Sequence, residues 1–128
     1  MNLLYEQETF KIRGVLFRVY NELGPGFLEK IYKRAVIEEL DKQKIPYSTE
    51  KKFAIHYNNK TIGYNLIDLI VYDKIILELK AVNNLEKFHT SQMLAYLKAT
   101  GFKLGLLVNF GAEKLKIRRI ISTDRADK

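Results

Sequence analysis

The chain has 128 residues, with 22 Lys and Arg against 15 Asp and Glu and a formal charge of +7. At 47% hydrophobic it can bury a core, which excludes a disordered chain, and the absence of Cys excludes disulfides and thiolate ligands or nucleophiles. No run reaches the roughly 18 apolar residues of a membrane span, and residues 1–8 turn acidic where a signal peptide would stay apolar, so one soluble cytoplasmic domain over 1–128 is expected.

Residues 5–23 set Phe10, Val15, Leu16, Val19, Tyr20 and Leu23 near one stripe at helical spacing and predict a first amphipathic helix. Gly24-Pro25-Gly26 breaks it, because Pro cannot continue the hydrogen-bond ladder. A second helix is expected over 27–43, burying Leu28, Ile31, Tyr32, Ala35, Val36 and Leu40. It stops at Ile45-Pro46, since a residue before Pro is pushed off helical angles. Beyond Pro46 the period becomes two and the residues turn β-branched and aromatic, which predicts strands near 48–57, 61–72 and 74–81. Asn58-Asn59 suits a tight turn between the first two strands, and the long middle run calls for a bend or bulge near Gly63. A third helix over 86–100 closes on Gly101, followed by a strand over 104–110, a turn at Gly111-Ala112, a strand over 115–121 and a polar tail, 122–128, expected to fray. The order ααβββαββ indicates an α/β fold: a mixed central sheet of about five strands flanked by helices, with a helical crossover on one face.

The segment Leu66-Ile67-Asp68 through Leu77-Glu78-Leu79-Lys80 carries the polar residues that do not belong in a core. Alternation puts Glu78 and Lys80 on one strand face with Ile76, while Asp68 is a lone carboxylate in an otherwise apolar strand. Burying an unpaired carboxylate costs several kcal/mol, so Asp68 must meet a cation, donors or water. Hairpin register decides what it faces. Asp73-Lys74 lacks the Gly or Asn of a two-residue turn, which favours a three-residue loop, Tyr72-Asp73-Lys74, pairing Val71 with Ile75 and Asp68 with Glu78. Two carboxylates roughly 5 Å apart repel unless a divalent cation neutralises them. Oxygen ligands without His or Cys point to a hard ion, Mg²⁺ or Mn²⁺. The same pattern also fits a solvated strand face with Asp68 paired to a Lys.

Two helical sets stand beside this one. His89, Gln92 and Tyr96 share a face of the third helix, which fits either a site or plain solvation. Glu29, in the first turn of the second helix, fits either a site or a carboxylate complementing the helix dipole.

Asp68 followed by Glu78-Leu79-Lys80 resembles the core motif of the PD-(D/E)XK nuclease superfamily, an acid on one strand and acid-x-Lys on the next. Gly26-Phe27-Leu28-Glu29-Lys30-Ile31-Tyr32 is similar to the naming pattern of the GxxExxY proteins of that superfamily. Gln92-Met93-Leu94-Ala95-Tyr96 is similar to the Gln-x-x-x-Tyr motif of RecB-like exonucleases. The motif's Pro is absent, Ile67 standing before Asp68. The resemblance implies a restriction-endonuclease-like core and a metal-dependent nuclease acting on DNA, with RNA as the alternative target. It makes Asp68 and Glu78 metal ligands together with the Leu79 carbonyl, Glu29 an additional acid, and Lys80 the catalytic Lys. Gln92 and Tyr96 would support substrate or metal, while His89 receives no role. Lys51, Lys52, Lys114, Lys116, Arg118 and Arg119 would hold the nucleic acid; as edge-strand cations they equally discourage sheet pairing. With so short a chain, specificity is expected to come from a second copy or an accessory protein. A non-catalytic nucleic-acid- or partner-binding domain retaining the fold is the alternative.

Overall fold

The computed structural model describes residues 3–123, so residues 124–128 of the predicted tail lie outside the described residues. Helix α1 (Glu6–Leu23) buries Ile12, Val15, Leu16 and Val19, an i, i+3, i+4, i+7 stripe. Phe10, read as part of that stripe, is 77% exposed, because it stands two residues ahead of Ile12 and off its face. Helix α2 (Glu29–Lys42) buries Tyr32, Val36 and Leu40. It starts two residues later than expected: Leu28 is still extended and exposed, and Ile31, one residue off the Tyr32 stripe, is exposed too.

The remaining elements are β1 (Tyr47–Tyr57), β2 (Lys60–Val71), β3 (Ile75–Lys80), α3 (Lys87–Thr100), β4 (Leu104–Asn109) and β5 (Lys116–Ile121). They form a five-stranded sheet in chain order, with β3 and β4 parallel and every other pair antiparallel. This is the expected mixed α/β architecture, and α3 supplies the crossover that a parallel pair requires. Asn58 and Asn59 both take left-handed angles (φ 51° and 62°) between the paired Tyr57 and Lys60. That is the two-residue turn Asn tolerates. The β1–β2 register shifts beside Gly63, since Ile55 pairs with Gly63 but His56 with Thr61.

The two faces of the sheet bury separate clusters. Leu69, Val71, Ile75, Leu77 and Leu79 pack with α1 and α2, whereas Ile67, Ile70 and Ile76 pack with Met93, Tyr96 and Leu97 of α3. Along β2 the alternation therefore slips by one at Asp68. At the same place the β1–β2 pairing skips a step: Thr49 pairs with Leu69 and Lys51 with Ile67, while Glu50 between them takes a left-handed φ of 50°.

Candidate functional site

Register builds the centre of the site. β2 and β3 pair only over Leu69–Leu77, Ile70–Ile76 and Val71–Ile75, joined by the loop Tyr72-Asp73-Lys74. One step further the strands part, and the two carboxylates fill the fork. The Asp68 N–H donates to Glu78 Oε2 at 2.9 Å, and the Leu79 N–H donates to Asp68 Oδ2 at 2.9 Å. Each side chain thus satisfies a backbone donor that the opening ladder leaves behind. Glu78 is only 5% exposed. Burial, then the Asp68 charge, push its carboxyl up to about 7, against the opposing pull of the Asp68 N–H and Lys80.

The start of α2 closes one side. Gly24 and Gly26 take positive φ (68° and 111°), so the chain turns sharply between the helices. The Tyr32 hydroxyl then pins the turn, donating to the Gly24 carbonyl at 2.5 Å and accepting from the Phe27 N–H at 3.2 Å, while its ring stacks on Phe110 at 4.4 Å. Glu29 is thereby fixed as the first residue of α2, where the helix dipole favours a carboxylate. It shares an open cleft with Leu28, Lys30, Lys33, Glu50 and Asp68. Its carboxyl is raised by burial and by the Asp68 charge, with Lys80 opposing. A larger hollow along the start of α1, lined by Leu3, Glu6, Gln7, Glu8, Phe10 and Lys11, holds none of these groups.

Two members of the cleft escape sequence reading. Lys33 places its Nζ 3.2 Å from Glu50 Oε2 and 3.9 Å from Asp68 Oδ1. Its signal was available, since it stands four residues after Glu29 and so on the same helix face. Glu50 gave none, lying in a polar run whose strand alternation its own left-handed backbone interrupts.

On the other side, β3 delivers Lys80 to the rim, half-buried, where its charge acts on Glu29, Glu78 and His89. The strand end is clasped. Asn109 accepts the Val82 and Gly111 N–H groups on Oδ1 and donates from Nδ2 to the Val82 carbonyl, and the Phe110 N–H donates to the Lys80 carbonyl. From α3, Tyr96 is buried beside the acids; burial and then the Glu78 and Asp68 charges push its hydroxyl up to about 12. Gln92 is half-buried one turn earlier. His89 is buried as a cap: its Nδ1 accepts the Glu86 N–H at 2.8 Å at the start of α3.

The chain matches the PD-(D/E)XK nuclease superfamily over residues 6–120. It belongs to that superfamily. Superfamily members are generally nucleases and typically use divalent metals. No curated protein matches the chain. Among solved structures it is similar to the crystal structure of SSO0001, with a TM-score of 0.60 and 19% identity over 76% of this chain and 52% of that one. The likeness is one of fold, and the chain spans about half the length of that protein.

In superfamily terms, the acid and the acid-x-Lys stand side by side on β2 and β3. Among the described residues no three His, Asp or Glu side chains converge into a ready cage. Mg²⁺ does not need one, since it keeps several waters and is commonly bound by one or two carboxylates. Asp68 and Glu78 suit that demand: all-oxygen donors, crowded like charges, and on each a second oxygen beyond the one engaged by backbone.

The six cations expected to hold nucleic acid are not gathered at the site. Lys51 and Lys52 are exposed on β1, while Lys116 and Arg118 are exposed on β5 at the opposite edge, with three strands between. Lys114 is exposed just before β5. Arg118 donates to Thr90 Oγ1 at 2.7 Å. Arg119 parts from this set: alternation turns it to the other face, where it is half-buried and bonds the Leu4 carbonyl. It holds the chain ahead of α1 to the sheet.

Proposed function

We propose that residues 3–123 form one metal-dependent nuclease domain of the GxxExxY type, hydrolysing phosphodiester bonds with DNA as first substrate in a cytoplasmic setting. The observation that carries this reading is the reciprocal bonding of Asp68 and Glu78 at the fork of β2 and β3, which crowds two carboxylates and buries one. Asp68, Glu78, the Leu79 carbonyl and Glu29 would hold Mg²⁺ or Mn²⁺. A bound divalent ion supplies an activated water and neutralises charge on the phosphate. Lys80 stabilises negative charge developing on the phosphorus centre, at a place where its own charge is already felt by Glu29 and Glu78. Tyr96, beside the acids, and Gln92, one turn earlier on α3, would orient substrate. A fold-retaining binder without cleavage is the second reading, favoured by the carboxylates' being turned onto backbone N–H groups.

The test is incubation with linear, nicked, supercoiled and single-stranded DNA, and with RNA, in Mg²⁺ or Mn²⁺ and then with chelator. Cleavage should stop on chelation and fall by about 10²–10³-fold in Lys80→Ala, the cost of removing one charge-stabilising donor, with Asp68→Ala lower still. Cleavage surviving in both variants would overturn the assignment, and binding without cleavage on every substrate would establish the second reading.

A further inference from the structure

The β1–β2 hairpin outruns the sheet. β2 pairs with β3 only from Leu69 onward, so residues 60–67 have β1 as their sole strand partner among the described residues. The two faces of this arm differ. Lys51, Phe53 and Ile55 lie opposite Ile67, Asn65 and Gly63, and this face turns to α3, where Ile67 is core and Phe53 meets the Tyr96 ring edge-on at 5.3 Å. On the other face Lys52 lies opposite Leu66 and Ala54 opposite Tyr64. Tyr64 and Leu66 are both 57% exposed, and the Lys52 ammonium sits 4.2 Å from the Tyr64 ring centre. Asp68 stands two residues beyond Leu66 and Glu50 two residues before Lys52, where the alternation breaks, and both line the cleft at the start of α2.

We propose that the arm face carrying Lys52, Tyr64 and Leu66 is a platform for a single-stranded stretch of nucleic acid running toward Asp68; the proposal rests on the nuclease reading and names its substrate form. An exposed aromatic, an apolar neighbour and a basic side chain form the pattern on which unpaired bases stack while cations track the phosphates. Paired bases within a duplex do not offer their faces. Charge argues against a second copy as the occupant, because Lys51 and Lys52 on the edge strand would meet their own like charges.

The experiment measures binding of labelled single-stranded DNA and the matching duplex in chelator, where no cleavage occurs, with cleavage in metal assayed separately. The single strand should bind more tightly than the duplex. Tyr64→Ala should weaken it by about tenfold, as expected for one stacked base. Tyr64→Phe, which keeps the ring, should bind as the unsubstituted protein does, and Lys52→Ala should weaken binding and flatten its salt dependence. Full-strength binding by Tyr64→Ala, a preference for duplex, or a solution dimer that Tyr64→Ala dissolves would each overturn the platform while leaving cleavage untouched. Intact, Tyr64-dependent binding by a protein that never cleaves would overturn the nuclease reading alone.

Discussion

The two halves of β3 are three residues each: the first is wholly apolar, and the second sets Glu78 and Lys80 around the buried Leu79. Ile75, Ile76 and Leu77 are apolar, buried and paired on both sides, to β2 and to β4. Glu78, Leu79 and Lys80 remain paired to β4, but β2 has left them. The first half is explained by burial alone, and the second is where polar groups become tolerable, because an opening ladder exposes backbone donors that carboxylates can satisfy. The site thus stands where the sheet comes apart, held from behind by strands that do not.

The largest expected effect belongs to the paired half. Leu77→Ala empties a fully buried position and should cost about 2–5 kcal/mol, read from denaturant midpoints. A cost under about 1 kcal/mol would show that the central strand is no more constrained than its end.

The open half should respond to pH in the opposite sense to a salt-bridged acid. Folding raises the Glu78 pKa to about 7 from an ordinary 4.5, so the folded state binds the proton more tightly. Its contribution to stability is complete below about pH 4.5 and is lost as pH rises through about 7, amounting to about 3 kcal/mol. Glu78→Gln, which cannot charge, should therefore be more stable than the unsubstituted protein at pH 8 in chelator and match it at pH 5, while losing cleavage. Thermal unfolding at the two pH values checks this, and equal melting temperatures at pH 8 would show that the buried charge carries no penalty. The smallest effect concerns Lys33, the protein's own cation beside Asp68. Lys33→Met removes a charge worth about 1 kcal/mol at that distance in high dielectric, so Mg²⁺ should bind about fivefold more tightly by calorimetry.

The fork was legible in the sequence because it depends on parity. Once Asp73-Lys74 is judged unfit for a two-residue turn, the pairing of Asp68 with Glu78 follows, and the structure has that register. Element order was legible for the same reason, period being a local property. Glu50 and Lys33 were missed because their role arises where β1, β2 and α2 meet, and a left-handed residue in a strand has no periodic signature. Phe10, Leu28 and Ile31 depart from expectation because hydrophobicity alone does not say which residue starts the stripe. Charge alone groups Arg119 with Arg118, although adjacent strand residues face opposite ways. His89 caps α3 through its ring, a role that depends on where the helix begins and that the shared face with Gln92 and Tyr96 did not reveal.

The stitch between Asp68 and Glu78 bears on which exchanges the fold tolerates. Replacing either acid with an apolar residue orphans an N–H, of Leu79 in one case and of Asp68 in the other, at about 1–3 kcal/mol if it stays buried. For Asp68 that loss stands alone, whereas for Glu78 it is offset above about pH 7 by relief of the buried charge. Asp68 thus supports the fold whatever its chemistry, whereas among the described residues no bond of the Lys80 ammonium supports the backbone in this way, so exchanging Lys80 should cost the fold less.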